Sequence, residues 1–104
     1  MSYLKNIMQE EHQRLKALSE KYRVEIGSLP KGSISVKKRG QKKYLYLAYR
    51  QKKKVISEYI GPAESEHSET IIKKINIRKN YEIKLKQVKT DLKEIEKVLN
   101  GRKI

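Results

Sequence analysis

Apolar residues recur along this chain with two different periods, and the places where the period changes delimit its elements. From Ser2 to about Glu25, Leu4, Met8, Glu11, Leu15, Leu18 and Tyr22 return at alternating steps of four and three, which is the seam of a heptad helix. Glu11 stands in one seam position, and Tyr3 and Ile7 widen the apolar face near the start. The helix should stop before Gly27-Ser28-Leu29-Pro30, where glycine and proline make continuation costly. A longer helix is predicted from about Glu69 to Leu99, with Ile71, Ile75, Arg78, Tyr81, Leu85, Val88, Leu92, Ile95 and Leu99 at similar steps. Asn100-Gly101 suits a C-terminal cap, with Arg102 and Lys103 at the negative end of the helix dipole. The matching seams predict an antiparallel coiled-coil hairpin packed through Leu15, Leu18, Leu85, Val88, Leu92 and Ile95, and a homodimer through the longer helix is equally open.

Between the helices the period drops to two. Ile34 and Val36 form one run, Tyr44 to Tyr49 a second and Val55 to Ile60 a third, separated by turn signals at Arg39-Gly40-Gln41 and Gln51-Lys52-Lys53. That predicts a three-stranded antiparallel meander over residues 31–61. A three-residue second turn places Leu45, Leu47 and Tyr49 on one face with Val55, Ser57 and Tyr59, and Tyr44, Tyr46 and Ala48 on the other with Ile56 and Ile60. A three-residue first turn adds Ile34 and Val36 to the second face; a four-residue turn moves them to the first, because a slip of one residue changes the face of every side chain. Either way the middle strand is apolar on both sides, so its second face calls for a helix, a second subunit or a ligand. Gly61-Pro62 ends the sheet, and Ser65 or Ser68 is the expected N-cap of the last helix, with Glu64, Glu66 and Glu69 suited to its positive end. The predicted fold is thus α+β, one small domain spanning residues 1–104.

Composition sharpens this picture. With 37% apolar residues and neither Phe nor Trp, the chain can bury only a thin core. It has no cysteine, which excludes disulfides and thiolate metal sites and makes a reducing cytoplasm the expected setting. The first residues lack the apolar run of a signal peptide, and no stretch approaches the ~20 apolar residues of a membrane span. The formal net charge of +14 is unevenly spread: Lys31 to Lys54 holds ten Lys or Arg and no acid, so that one segment supplies +10. A field this strong and this local implies an anionic polymer as partner.

The catalytic inventory is poor. Asp91 is the single aspartate, and His12 and His67 lie on separate segments with no ligand or general-base pattern beside them. No phosphate-binding glycine loop or paired nucleophile is present, so neither enzyme activity, a metal nor a cofactor is expected. The nucleic-acid signal is richer. Lys37, Lys38, Arg39, Lys42 and Lys43 flank one turn and Arg50, Lys52, Lys53 and Lys54 the other, placing cations where phosphates can be reached. Tyr44, Tyr46, Tyr49 and Tyr59 are available for stacking, though tyrosine is equally an ordinary residue of a half-buried sheet. Arg39 and Arg50 are the candidates for base contact, since arginine can donate twice to guanine. A two-stranded ribbon fits a B-DNA major groove better than the deep groove of duplex RNA, so DNA is the expected polymer. Lys73, Lys74, Arg78, Lys79, Lys86 and Lys93 on the last helix could extend a backbone contact.

The pattern GSISVKKRGQKKYLYLAYRQKKKVISEYIGP followed by a long Lys-rich helix resembles a family of small uncharacterised basic proteins from bacteria, archaea and their mobile elements. The resemblance rests on Gly32-Ser33, on Tyr44 and Tyr46, and on the Tyr59-Ile60-Gly61 close, and it covers residues 29–99. The hairpin is also similar to the β-rich segment that opens some insertion-sequence transposases, but the acidic catalytic residues of those enzymes are missing here, so the similarity implies at most an accessory binding role. The expectation is a cytoplasmic nucleic-acid-binding protein that contacts phosphates through the basic hairpin. Its rival is a protein-interaction module, such as an antitoxin-like or phage accessory subunit, acting through the coiled coil and the second apolar sheet face.

Overall fold

A computed structural model describes residues 3–101. The elements run α1 (Tyr3–Gly27), β1 (Ser33–Arg39), β2 (Lys42–Gln51), β3 (Lys54–Pro62) and α2 (Glu66–Leu99), the α+β order that the periodicity predicts. Ser2, Arg102 and Lys103 lie outside the described residues. The chain divides into two compact units, a helical one made of α1 with α2 from Asn80 onward, and a sheet unit spanning Leu29–Lys79.

In the helical unit the two helices pair in antiparallel fashion. Tyr22 meets Tyr81 with ring centroids 5.7 Å apart, and His12 Nε2 lies 3.0 Å from Glu96 Oε2, so numbers fall along one helix as they rise along the other. Leu15 and Val88 are buried, and Leu18, Leu85, Leu92 and Ile95 are half-buried on the same seam. Glu11, the polar member of that seam, is tolerated because Arg14 one turn later donates to both carboxylate oxygens, at 2.6 and 2.8 Å. That fork holds the Glu11 carboxyl below the usual carboxylate range, so the contact persists at neutral pH and is lost on acidification. α1 runs through Gly27, slightly past its expected end, because Ser28 closes it: its N–H donates to the Val24 and Glu25 carbonyls and its hydroxyl to Glu25 O. At the other end of the unit Gly101 adopts φ +72° and donates to Val98 O, the left-handed C-terminal cap expected there.

The sheet unit is a meander of order β1-β2-β3, with β2 paired along both edges. Arg39 pairs with Lys42, so the first loop is two residues, Gly40-Gln41, with Gly40 at φ +64° in the first central position. Ile34 then opposes Leu47 and Val36 opposes Leu45, the faces given by a loop of even length. The second loop differs from expectation. Gln51 pairs with Lys54, leaving only Lys52 and Lys53 in the turn, and the slip of one residue exchanges the faces of β3. Ile56 now opposes Tyr49 and Tyr59 opposes Tyr46. A bulge follows: Leu45 pairs with Gly61, so Ile60 is the extra residue, and the Tyr-Ile-Gly close is the bulge itself. Leu45 and Leu47 are the buried pair on the covered face, joined by half-buried Ile34, Tyr49 and Ile56 and by Ile75 of α2, which is only 1% exposed.

A short serine relay fastens α2 to the sheet. Ser65 Oγ caps the helix by accepting from Ser68 N–H at 3.2 Å and donates to Ser68 Oγ at 3.1 Å, while Ser68 Oγ donates to Pro62 O at 2.7 Å. The cap starts α2 at Glu66, three residues earlier than predicted, with Glu66 and Glu69 in its first turn. Arg78 Nη1 donates to Leu29 O at 2.8 Å, so this residue of the expected basic helix face serves the fold.

Two substitutions test this packing. Gly32 has φ +126°, and a Cβ there would lie 2.5 Å from Ala48 O and 3.1 Å from Tyr49 Cβ. Gly32→Ala should therefore destabilise by more than the ~1–2 kcal/mol of left-handed strain alone, read as a lower urea midpoint by circular dichroism. Leu15→Ala should cost ~2–5 kcal/mol through the cavity it leaves in the helix seam, and the same denaturation experiment measures it.

Candidate nucleic-acid interface

Strict alternation along β2 sorts its side chains into two populations. Leu45, Leu47 and Tyr49 turn to the covered face, and Lys42, Tyr44, Tyr46, Ala48 and Arg50 to the other. Cross-strand partners share a face, so Lys37 and Arg39 of β1 and Val55, Ser57 and Tyr59 of β3 join that second group. The result is a tyrosine cluster. Tyr59 has ring centroids 5.4 Å from Tyr46 and 6.2 Å from Tyr44, both in tilted arrangements, within the range of favourable aromatic pairs. Tyr59 remains 53% exposed and Val55 68%, so this face of the sheet meets solvent.

Cations surround the rings. Lys37 Nζ sits 4.4 Å from the Tyr46 ring centroid in a cation–π contact. Arg39, Tyr44, Tyr46 and Tyr59 line a shallow depression of about 280 Å³. Lys42 lies beside Arg39 across the first turn, and Arg50 marks the far end of the same face. No strand contributes a carboxylate to this surface, since Glu58, the only acid in the three strands, opposes Leu47 on the covered side; at its rim Glu64, just after β3, shares a depression with Lys42 and Tyr44. Cations outnumber acids around the tyrosines, with Lys37, Arg39 and Lys42 against Glu64.

The nine basic residues expected at the site are all exposed, but they do not share one surface. Lys37, Arg39, Lys42 and Arg50 stand on the tyrosine face; Lys38, Lys43 and Lys54 belong to the opposite one by register; Lys52 and Lys53 form the second turn. Lys52 adopts φ +57°, the only non-glycine residue with positive φ among the described residues. Of the expected stacking residues, Tyr44 and Tyr46 are brought together, and Tyr49 is not, because it opposes Ile56 on the covered face. Tyr59 takes its place. Its side of the sheet depended on the length of the second loop, and a two-residue Lys-Lys turn carries no glycine or asparagine to announce itself.

Other candidate chemistry disperses. His12 is spent on Glu96 at 3.0 Å, His67 is exposed on the first turn of α2, and Asp91 accepts from Gln87 at 3.0 Å. Among the described residues no cluster of three or more His, Cys, Asp or Glu could hold a metal ion, and no helix is long and apolar enough to cross a membrane. Lys73, Lys74, Lys79, Lys86 and Lys93 are exposed along α2.

Comparison with curated proteins and with solved structures gives no significant match. A family match does exist, over residues 8–69, which takes in most of α1, the whole meander and the capped start of α2. It contains the Gly32-Ser33, Tyr44, Tyr46 and Tyr59-Ile60-Gly61 features, whose physical roles are the close approach to Ala48, the tyrosine cluster and the bulge. Because the match spans more than half of the sequence, the chain belongs to the family described as a domain of unknown function, DUF6788.

Proposed function

We propose that this protein is a small nucleic-acid-binding accessory factor, of a mobile element or its host, acting in the cytoplasm through the tyrosine face of its sheet. One observation carries the reading: a solvent-facing surface on which three clustered tyrosines lie among Lys37, Arg39 and Lys42, with Arg50 at its far end and no acid supplied by any strand. Phosphates supply the affinity in such a contact, and each neutralised phosphate releases counterions. Arg39 and Arg50, the two arginines of the meander, both stand on this face and are the residues suited to contact a base as well.

The conformation of Lys52 adds support. A lysine in the left-handed region costs ~1–2 kcal/mol that glycine would avoid, and residues kept in such strain cluster at functional positions. The charge at the turn offsets that cost only if it is used. A free two-stranded ribbon of the kind that enters a DNA groove is nearly absent, however. β2 is hydrogen-bonded on both sides from Tyr44 to Gln51, and the short Lys42-Lys43 end is all that lacks a β3 partner.

Fluorescence-anisotropy titration at two or more salt concentrations tests the proposal. If Lys37, Arg39, Lys42, Arg50, Lys52 and Lys53 each neutralise one phosphate, the slope of log affinity against log salt is about −5 on a duplex and about −4 on a single strand. Replacing Lys37, Arg39 and Lys42 by glutamine should reduce that slope by two to three, at roughly 0.7–0.9 per contact. Weak, salt-insensitive binding would return the protein-interaction module to first place. Lys52→Gly separates strain from function: it should raise stability by up to ~1–2 kcal/mol while weakening nucleic-acid binding at low salt.

A further inference from the structure

The tyrosine face discriminates between forms of nucleic acid, and this deeper inference rests on the reading above. We propose that it binds single-stranded nucleic acid in preference to duplex, with unpaired bases stacked on Tyr46 and Tyr59 and the adjoining phosphates on Lys37, Arg39 and Lys42.

A ring offers a base its flat face, and in a duplex those faces are already stacked on neighbouring base pairs, so only an unpaired base can use the cluster. Tyr59 is half exposed and stands on an edge strand, where nothing in the sheet lies beyond it. The depression among Arg39, Tyr44, Tyr46 and Tyr59 is small and open, a place for the face of one ring system and not an enclosing pocket, since small-molecule pockets run to ~300–1,000 Å³. Lys37 now covers the Tyr46 ring, but an exposed cation–π contact is weak. A base displaces it readily, and the freed ammonium is then beside the phosphate of the same nucleotide.

The length agrees. Lys42 and Arg50 mark the ends of this face on β2, about 27 Å apart at ~3.4 Å per residue. That accommodates a few extended nucleotides, at the lower end of the ~4–16 known for compact β-domains that bind single strands. Opposed to this, the β1–β2 hairpin outruns β3 only at Lys42-Lys43, which leaves little ribbon to read a groove from within.

The test compares labelled oligo-dT, oligo-rU and a duplex, each about 12 nucleotides or base pairs long, by anisotropy at matched salt. Tyrosine emission is followed in parallel, since the chain has seven tyrosines and no tryptophan to mask them. Tighter binding of a single strand than of the duplex, with quenched tyrosine emission, supports the proposal; comparison of the dT and rU arms shows whether the 2′-hydroxyl matters. Tyr59→Ala should then weaken single-strand binding roughly 5- to 100-fold and leave duplex binding nearly unchanged. Tyr59→Phe should keep full affinity, because the ring and not the hydroxyl stacks. Circular dichroism confirms that both variants retain the sheet, and the wild-type comparison stands even if Tyr59→Ala does not fold. Equal binding of duplex and single strand, or an unquenched complex, overturns this inference and leaves the phosphate-binding reading in place. Salt-insensitive failure to bind any of the three overturns both.

Discussion

The pairing of β2 along both of its edges is the constraint from which the rest of the sheet unit follows. A strand hydrogen-bonded on two sides cannot rotate, so its odd and even residues are committed to opposite faces. Leu45 and Leu47 fall to the covered side, where they are 1% and 6% exposed, and the tyrosines between them are forced outward. Each neighbouring strand is then set by its loop. Two residues between Arg39 and Lys42 bring Ile34 and Val36 over to the leucine side, and two between Gln51 and Lys54 send Tyr59 to the tyrosine side. The bulge at Ile60 lets the strand shift register at its end without disturbing Tyr59, and it places Gly61 opposite Leu45, beside the serines that start α2.

A chain with so much positive charge and so little apolar volume has to place its lysines carefully. Here the edge strands carry several of them, with Lys37 and Lys38 on β1 and Lys54 on β3. Lysine on an exposed edge discourages pairing with a second sheet, so part of this charge serves solubility whatever else it does. That role explains Lys38 and Lys54, edge-strand lysines on the face away from the tyrosines. It does not explain why a lysine occupies the strained position at 52 when glycine would serve the turn better.

The polar interior is small and complete. Ser68 has no exposed surface, yet its hydroxyl both accepts from Ser65 and donates to Pro62 O, and no buried side-chain polar atom among the described residues lacks a partner. The carbonyl of a proline at the end of β3 thereby receives a donor, and the first turn of α2 is pinned to the strand that precedes it. In the helical unit the seam carries its own polar members. Glu11 keeps its charge because Arg14 forks it, and His12 reaches Glu96 across the pair.

How much of this was legible depended on whether a feature is local. Heptad spacing located both helices, since a period of three and four is written along a single segment, and Leu15 and Val88 are buried where it placed them, whereas Leu4, Tyr3 and Ile7 are exposed and the buried Ser19 lies off the seam. Alternation located the three strands, and the clustering of Lys and Arg was visible before any fold was known. Composition also showed that the core would be thin. The membership of the tyrosine face was a different kind of question. Whether Tyr59 stood beside Tyr46 turned on one residue in the length of the second loop, and the Lys52-Lys53 turn carries no local signal for its geometry. Register is a property of two strands at once, settled by which pairing buries Leu45 and Leu47 together with Ile34 and Ile56. The sequence by itself determined the elements and the charge; only the tertiary structure decided which side chains share a surface, because that is fixed by pairing between segments and not by pattern within one.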